Sequence, residues 1–480
     1  MAALKIVNLK GDLFATASSF VTQAIIKLGS SLILTRILRP EAYGVIVILL
    51  SVSFVIEMIS DIGITVPIIR SEYGETPRYL NTAWTLRLGR SLINGTILFF
   101  FAPLIAALYH VVSLVEPLRV FSLWFLINGL ESMSFPIAIR RKQSRIIVYS
   151  ELAATFASSV FTVIYCHFSR DFWGLVYGTL LNRAVLVAIS YRFFPEIKLK
   201  LQLDRPAARE LLTYSRFSVP SSILTLTLTQ FDKIAILRLF DLGLLGIYGL
   251  AANIAGPVES LITKISQLVL YPRVAHNYRS DREGFGLKYY TENIKLFSAI
   301  LLVPAAIGGA AQLVVGVLYP SRYALAGAIL QAFMLRVSLL ALASPAEDLL
   351  IATGEAHVIF VGNILRAVAM LVASIGGFYL FGFLGFAYGA ALSGLPPLVY
   401  YWRLQKKKGL LIVRFELYKI AFLMAIASVA YLTAHLILAL WPEAASPNFH
   451  PLGDKASAVV GSLQPILNGC HCSSVFSGPS

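Results

Sequence analysis

Ionisable side chains lie inside long apolar runs of this sequence, where a hydrocarbon environment would oppose them. Arg87 and Arg90 are three residues apart, so a helix places both on one face, and Asn94 follows one turn later. Two guanidinium groups on one stripe suit a pyrophosphate, because their planar forks donate several hydrogen bonds to phosphate oxygens. In the alternative interpretation, these arginines snorkel to the membrane surface or pair with Asp61.

Two further cations stand in other apolar runs. Arg336 falls near the middle of its run, from which a side chain reaches the membrane surface with difficulty, so we predict that it lines a cavity. Lys27 lies in the first apolar run of the chain. Together with Arg87, Arg90 and Asn94, these two residues form the predicted substrate-binding set.

Acidic residues in the same runs are candidates for ion coupling. A carboxylate in a cavity of low dielectric constant can exchange a proton or hold a cation near neutral pH, as ion-coupled transport requires. Glu57, Glu259 and Asp232 are the predicted coupling residues. Lys233 follows Asp232 but points to another face of a helix, so we do not expect the two to neutralise each other. The competing interpretation of the glutamates is a structural ion pair with one of two lysines, Lys27 and Lys264.

The elements that must position these side chains are apolar segments long enough to cross a membrane. About 20 residues span about 30 Å of hydrocarbon, and the chain is 57% hydrophobic and only 14% charged. Sliding windows predict thirteen helices, at 13–37, 43–69, 80–107, 120–139, 146–166, 172–194, 213–240, 243–271, 291–319, 323–351, 356–380, 383–402 and 416–440. The predicted fold class is therefore an all-α polytopic membrane protein.

The charge distribution predicts the orientation of these helices. The net charge is +15, which in a membrane protein reflects basic inner loops and not nucleic-acid binding. With the N-terminus in the cytoplasm, clusters such as Arg140, Arg141 and Lys142 and the lysines at 406–408 all face inwards. We therefore predict a cytoplasmic N-terminus and contact with membrane lipid.

Motifs for enzymatic chemistry are missing from the sequence. It has no Gly-x-x-x-x-Gly-Lys-Ser/Thr phosphate loop, no His-Glu-x-x-His and no Gly-x-Ser-x-Gly pattern. Cys470, His471 and Cys472 are too compressed for a full tetrahedral metal site. We expect a secondary transporter without catalytic residues, metal or cofactor.

The helices fall into two groups joined by a central loop. We predict a first lobe at 1–194, a cytoplasmic linker at 195–212, a second lobe at 213–402, an extra helix at 403–440 and a poorly ordered tail at 441–480. Within the linker, Asp204 can cap a short amphipathic helix, with Pro206 in its first turn and Leu211 and Leu212 against the membrane surface.

The two lobes carry traces of an internal repeat. Shifting the sequence by 202 residues aligns Gly44 with Gly246 and Glu57 with Glu259, and it superimposes the first two helices on the seventh and eighth. Six helices, an even number, separate the copies. Both units therefore insert the same way, related by a pseudo-two-fold axis along the membrane normal.

Five stretches resemble a known family: Leu34–Gly44, Ser60–Ile64, Tyr79–Thr85, Gln230–Ile234 and Leu245–Gly249. They are similar to the polysaccharide-repeat flippases, the Wzx-type members of the multidrug/oligosaccharidyl-lipid/polysaccharide exporter superfamily. This resemblance implies two six-helix lobes around a central cavity that opens alternately inwards and outwards. Family members commonly have twelve or fourteen helices, so the predicted thirteen is a departure.

The resemblance also implies a substrate class, a polyprenyl-pyrophosphate-linked oligosaccharide carried across the bacterial inner membrane for exopolysaccharide, capsule or O-antigen assembly. Polysaccharide polymerase and export machinery are the implied partners. One alternative is a multidrug exporter of the same superfamily, which would need acidic residues for cationic drugs where the first helix has Lys27. The other is a membrane glycan polymerase or ligase, a class that usually has a large outer loop, whereas the outer loops predicted here are short.

Overall fold

The protein is seen here in a computed structural model that describes residues 9–440 apart from 195, 196, 198, 281–284 and 356. The described part contains helices and loops and no strand. Its α-helices are α1 (Leu9–Ile37), α2 (Pro40–Ile59), α3 (Thr65–Arg70), α4 (Pro77–Leu108), α5 (Val115–Phe121), α6 (Leu123–Gly129), α7 (Ser134–Arg140), α8 (Ser144–Ser169), α9 (Trp173–Ser190), α10 (Arg205–Leu239), α11 (Leu242–Ile265), α12 (Tyr271–Ser280), α13 (Phe285–Gly309), α14 (Ala311–Leu318), α15 (Ala326–Ala352), α16 (His357–Leu392), α17 (Leu395–Lys407) and α18 (Val413–Leu440). Short 3₁₀ turns lie at Val112–Leu114 and Ser321–Tyr323, and a π-helical turn lies at Ser266–Leu270.

Ten helical segments among the described residues are long and apolar enough to cross a membrane. The segment at 357–407 is one of these ten, and it contains α16 and α17. α1 and α10 are not among the ten, although they contain 29 and 35 residues. The chain is a multi-pass membrane protein with an all-α fold, as the sequence predicted. The tail at 441–480, with Cys470, His471 and Cys472, lies outside the described residues.

Several predicted spans are interrupted where the apolar windows showed no break. The window at 43–69 contains α2 and α3, which are separated at Gly63, a residue in the left-handed region with φ 63°. The amide of Gly63 donates to Asp61 Oδ1 at 2.9 Å and stabilises this turn. Similarly, the window at 120–139 contains parts of α5, α6 and α7. A hydropathy window records apolar composition, and these local backbone reversals do not change it.

α16 reverses direction within its length. Phe381 and Gly382 leave the helical conformation, and Gly382 has φ 63°. Beyond the turn, the two arms pack so closely that a Cβ atom on Gly377 would overlap the carbonyl oxygen of Gly385. The chain therefore forms a helical hairpin here, at the boundary predicted between the helices at 356–380 and 383–402.

The described part of the central linker is tied to the first lobe. Residues 199–204, here called the strap, lie along the start of α4. The Lys200 amide donates to Asn81 Oδ1 at 3.1 Å, Asn81 Nδ2 donates to Gln202 Oε1 at 3.1 Å, and the Asp204 amide donates to Thr82 Oγ1 at 2.9 Å. The strap is therefore fixed to the first lobe and is not a free connection between lobes.

α10 begins at the end of the strap and corrects the predicted linker helix. The carboxylate of Asp204 accepts the Ala207 amide at 3.2 Å, so the predicted cap is present. The helix that it starts is not short, however, because α10 continues to Leu239 and passes through the predicted boundary at 212/213. Leu211 is buried in a cluster with Tyr79 and Ile137 of the first lobe, and does not rest on the membrane surface as predicted.

The two lobes meet through a reciprocal contact between α2 and α11, here called the glycine contact. A Cβ atom on Gly44 would overlap the carbonyl oxygen of Leu242, and one on Gly246 would overlap that of Pro40. The shift of 202 residues aligns Pro40 with Leu242 and Gly44 with Gly246, so each half makes the same contact with the other. This symmetry confirms the predicted pseudo-two-fold relation.

Further contacts close the lobes at the same end. The Arg322 guanidinium donates to the carbonyl of Thr35 at 2.5 Å, and the Tyr323 hydroxyl donates to that of Leu38 at 3.0 Å. The Thr35 carbonyl lies in the last turn of α1 and the Leu38 carbonyl lies one residue beyond it, where the backbone lacks helical partners and favours a cation. We call this the glycine end, and the opposite end, where the strap lies, the linker end.

The extra helix α18 packs against α13 of the second lobe. Gly309 of α13 lies so close to α18 that a Cβ atom would overlap the carbonyl oxygen of Ala427. Nearer the linker end, Lys419 and Glu416 pair at 2.7 Å, and the Tyr290 hydroxyl donates to Glu416 Oε1 at 2.8 Å. Both charged residues are buried and both belong to α18, so the Tyr290 hydrogen bond is the contact that joins this enclosed ion pair to α13.

Candidate functional site

The first lobe contains a buried ion-pair network centred on Glu131. One carboxylate oxygen of Glu131 lies 2.8 Å from Arg87, and the other lies 2.6 Å from Arg183. Asn128 Oδ1 accepts hydrogen bonds from both arginines, the one from Arg87 at 3.3 Å. α4, α9 and the turn after α6 thus each bring a charged side chain to one point.

The network continues to Glu57 and Asp61 at the end of α2. Asn128 Nδ2 donates to Glu57 Oε1 at 3.1 Å, and the same oxygen lies 3.6 Å from Arg90. Arg90 also contacts Asp61 at 3.2 Å, which is the pairing considered in the sequence analysis. The partner of Glu57 is therefore an arginine, whereas the sequence suggested Lys27.

A cavity of about 230 Å³ opens beside this network, lined by Arg87, Arg90, Glu57 and Glu131. The structure thus brings together two of the predicted substrate-binding residues and one predicted coupling residue. The three arginines of the network face three carboxylates, and local charge is balanced. Anion binding here would have to compete with these existing partners.

The other two predicted residues of this lobe lie apart from the ion pairs. Asn94 is buried, and its Nδ2 donates to Ser60 Oγ at 2.8 Å. Lys27 is exposed on α1, and no ion pair to it is present among the described residues.

A second cluster surrounds Arg336 in the other lobe. Its guanidinium lies 2.8 Å from Glu259 and 3.9 Å from Asp232, and it covers the ring of Phe333 at 4.9 Å. The Tyr248 hydroxyl donates to Asp232 Oδ2 at 2.6 Å. The structure therefore joins Arg336 with both predicted coupling acids of this lobe, and the partner of Glu259 is Arg336 where the sequence suggested Lys264.

Between the lobes lies a cavity of about 390 Å³, here called the interlobe cavity. This volume falls within the roughly 300–1,000 Å³ of typical small-molecule sites. Its lining comes from α2, α5, α6, α10 and α11, and consists of Val47, Leu50, Ser51, Ser53, Phe54, Glu57, Phe121, Trp124, Gln230, Lys233, Gly249, Ala252 and Asn253. Hydroxyls, amides and aromatic rings thus share one surface, and Glu57 connects it to the cavity of the first lobe.

Lys233 is the cation of the interlobe cavity. Its ammonium donates to Gln230 Oε1 at 3.2 Å and to the Thr229 carbonyl at 3.3 Å, both neutral acceptors on its own helix. No described aspartate or glutamate forms an ion pair with it. The prediction that Asp232 and Lys233 face different sides of the helix is correct, since Asp232 turns towards Tyr248 and Arg336. Sequence alone did not show which of the two faces the cavity.

Replacement of Glu131 is expected to destabilise the protein more than replacement of an exposed partner. Glu131→Ala leaves Arg87 and Arg183 close together without their shared carboxylate, which costs about 3 kcal/mol for a buried network. The control is Glu75→Ala at the linker end, where Arg141 hydrogen-bonds the carboxylate and holds the pKa of Glu75 below its ordinary value. This exposed pair contributes about 0–1 kcal/mol. Thermal unfolding in detergent measures both, and equal losses would contradict a buried network.

Several known proteins are similar to this chain in sequence. Residues 33–327 match the family described as "Polysaccharide biosynthesis protein". Succinoglycan biosynthesis transport protein ExoT of Rhizobium meliloti (strain 1021) is 25% identical over 70% of this chain and 68% of its own. Lipopolysaccharide biosynthesis protein WzxC of Escherichia coli (strain K12) is 23% identical over 78% of this chain and 76% of its own.

Two solved structures share the fold. The lipid II flippase MurJ in an inward closed conformation has a TM-score of 0.67 at 13% identity, over 89% of this chain and 99% of that one. An inward-facing multidrug resistance MATE family transporter of the MOP superfamily has a TM-score of 0.60 at 15% identity, over 86% of this chain and 98% of that one. The two-lobed helical fold is therefore that of known membrane transporters.

Proposed function

We propose, because this chain belongs to the polysaccharide biosynthesis protein family, that it flips a polyprenyl-pyrophosphate-linked oligosaccharide across a bacterial inner membrane. The observation that carries the proposal is the interlobe cavity, which lies between two pseudo-symmetric lobes that are closed against each other at the glycine end. Such a cavity changes its access when the lobes rock around it.

The chemistry of the interlobe cavity fits the polar part of this substrate. A sugar presents hydroxyl groups and apolar ring faces, for which Gln230, Asn253 and Trp124 offer amide and aromatic partners. A pyrophosphate needs cations, and Lys233 offers an ammonium group without an acidic partner among the described residues. The polyprenyl chain would remain in the bilayer while the headgroup crosses between the lobes.

The predicted arginines have acidic partners within the protein. Arg87, Arg90 and Arg336 each contact a carboxylate, so their first role in this form is to hold the helices of each lobe together. Contact between these arginines and the pyrophosphate stays a prediction for a later step of transport, in which the ion pairs exchange partners.

Two alternative functions agree less well with these observations. The MATE-like fold agrees with a multidrug exporter, but the cation at Lys233 would repel cationic drugs. The other alternative is a glycan polymerase or ligase. Both relatives are named as polysaccharide or lipopolysaccharide biosynthesis proteins, and one of them is named as a transport protein, which favours transport over polymerisation. Flipping therefore has the best support, with a polysaccharide polymerase and export machinery as proposed partners.

The deciding experiment uses purified protein in liposomes with lipid-linked glycans extracted from a strain that lacks this gene. A membrane-impermeant glycosidase outside reports how much substrate becomes accessible. We expect the protein to expose the glycan pool of the inner leaflet without changing glycan length. Movement of a fluorescent lipophilic cation without glycan movement would establish the exporter instead, and glycan lengthening would establish the polymerase.

The orientation in the membrane gives a separate prediction. The linker end carries the basic residues Arg140, Arg141 and Lys142 and the lysines at 406–408, so we propose that it faces the cytoplasm, together with the N-terminus. Cysteines placed at Lys142 and Lys407 should then resist an impermeant label applied to whole cells, and cysteines at Ser113 and Ser321 should react. Labelling at Lys407 from outside would reverse the assignment.

A further inference from the structure

The three carboxylates predicted for ion coupling all have arginine partners. Arg90 lies beside Glu57, and Arg336 lies beside both Asp232 and Glu259. Arginine stays protonated at any physiological pH, so each of these carboxylates has a permanent counter-ion. A group that exchanges a proton during a transport cycle is better sought where a buried carboxylate lacks a cation.

Asp348, near the end of α15, is such a group. Its residue is only 8% exposed, and Oδ2 accepts a hydrogen bond from the hydroxyl of Ser266. No described lysine, arginine or histidine forms an ion pair with it. Among the described side chains, the titratable groups around it are Glu347 on the same helix and Tyr289 of α13, and Tyr289 itself donates to the Pro345 carbonyl at 2.7 Å.

The neighbouring carboxyl at 347 has a different environment. Arg366 of α16 and the hydroxyl of Tyr401 of α17 both interact with Glu347. Two adjacent acids on α15 therefore differ in one respect: Glu347 has an arginine in reach, whereas Asp348 has a hydroxyl partner and no cation among the described residues. Glu347 is consequently a matched control for Asp348.

Ser266 occupies a special backbone position. It opens the π-helical turn between α11 and α12, and its carbonyl accepts the amide of Tyr271, five residues later. Such wide turns are rare, and they occur often at functional positions. Leu270 and Val274, which follow, are buried in a cluster with Leu349, the neighbour of Asp348. The Asp348 to Ser266 contact thus joins the π turn and α12 to α15 at the linker end.

We propose that Asp348 is a proton-binding site whose protonation state controls how firmly the π turn and α12 are seated on α15. The protonated carboxyl is neutral and accepts a hydrogen bond from the Ser266 hydroxyl inside the protein. When the proton leaves to water, the remaining anion has no counter-ion among the described residues, and burial of such a charge is strongly unfavourable. The packing of the π turn and α12 against α15 then loosens, and water reaches the carboxylate.

This site is connected to the glycine contact by one helix. α11 runs from Leu242, in the glycine contact, to Ile265, beside Ser266, with Pro257 inside it. A shift of the π turn therefore moves the helix that closes the opposite end of the lobes. The role of Asp348 in driving the transport of lipid-linked glycans rests on the function proposed above, whereas the proton site itself does not.

Hydrogen–deuterium exchange of full-length protein in nanodiscs tests the proton site without any substrate. Peptides covering 266–280 are compared at about pH 5.5 and about pH 8.5, which bracket the range in which buried carboxyls commonly titrate. After correction for intrinsic rates, we expect wild-type exchange to be at least about tenfold faster at the higher pH, as local opening becomes easier. Asp348→Asn should exchange slowly at both values, and Glu347→Gln should keep the wild-type dependence. A pH dependence that survives in Asp348→Asn, or that disappears in Glu347→Gln, overturns the proposal.

Ser266→Ala provides a second test that leaves the carboxyl in place, in case Asp348→Asn fails to insert. Without the hydroxyl, the 266–280 region should exchange rapidly at both pH values, and slow exchange at the lower value would refute the contact. In liposomes, wild-type flipping should respond to an imposed pH gradient and Asp348→Asn flipping should not. Gradient-driven flipping by Asp348→Asn would refute the coupling role. A wild type that flips nothing would instead refute the proposed function, leaving the exchange result to decide the proton site.

Discussion

Lys233→Ala is expected to lower the affinity for a polyprenyl-pyrophosphate-linked glycan by about ten- to a hundredfold while the protein still folds. A hydrogen bond to a charged group contributes about 1.5–3 kcal/mol, which corresponds to this range of affinity. The fold should survive, because Lys233 donates only to neutral acceptors on its own helix. Binding of the extracted glycan lipid to protein in nanodiscs measures the effect.

The controls separate charge from shape. Lys233→Arg keeps the cation and should retain most of the affinity, whereas Lys295→Ala removes an exposed lysine of α13 that does not line the interlobe cavity. A glycan linked to an uncharged polyprenol should bind wild type and Lys233→Ala equally. If Lys233→Ala binds the pyrophosphate-linked glycan as tightly as wild type, Lys233 does not contact the headgroup.

Gly44→Ala combined with Gly246→Ala is expected to abolish closure at the glycine end and to stop transport. Each added Cβ would overlap a backbone carbonyl oxygen of the opposite lobe, and backbone atoms cannot move aside as a flexible side chain can. The lobes must therefore separate at this end. Spin labels at Ser113 and Ser321, one on each lobe, should report a longer distance in the double variant than in wild type.

Gly256→Ala is the matched control on the same helix as Gly246. A Cβ at Gly256 meets no atom within 4 Å, and glycine in a helix interior costs roughly 0.5–1 kcal/mol relative to alanine. This variant should be slightly more stable than wild type and should transport normally. The expected effects on stability thus have opposite signs in the control and in the double variant. An unchanged label distance in the Gly44 and Gly246 double variant would show that the glycine contact is not required for closure.

The architecture was largely predictable from sequence because it depends on local composition. Apolar runs locate the helices, and the shift of 202 residues aligns Gly44 with Gly246, the two residues of the glycine contact. The alignment does not reveal that each glycine contacts the other lobe. A repeat shows that two positions are equivalent, but it does not show that they are close together in space. The helix breaks were missed because Gly63 and Gly382 change backbone direction without altering hydropathy.

The partners of the charged residues were the least predictable feature. Arg336 and Glu259 are 77 positions apart and meet only after α11 and α15 have packed. Nearby lysines therefore seemed the better partners from sequence, and the structure replaced them with arginines. Asp348 was overlooked for a related reason. It lies next to Glu347 near the end of an apolar run, and nothing in the order of residues tells which of two adjacent acids has a cation within reach.

The strap has a consequence for how the protein is made. The first lobe is complete only when residues beyond its last helix have arrived, because Asn81 and Thr82 find their partners at Gln202 and Asp204. Leu211 then fills the cluster around Tyr79. During synthesis, domains generally fold in order from the N-terminus, so we expect the beginning of α10 to pack on the first lobe before the second lobe is complete. The packed beginning of α10 would therefore set the position and direction in which the second lobe assembles.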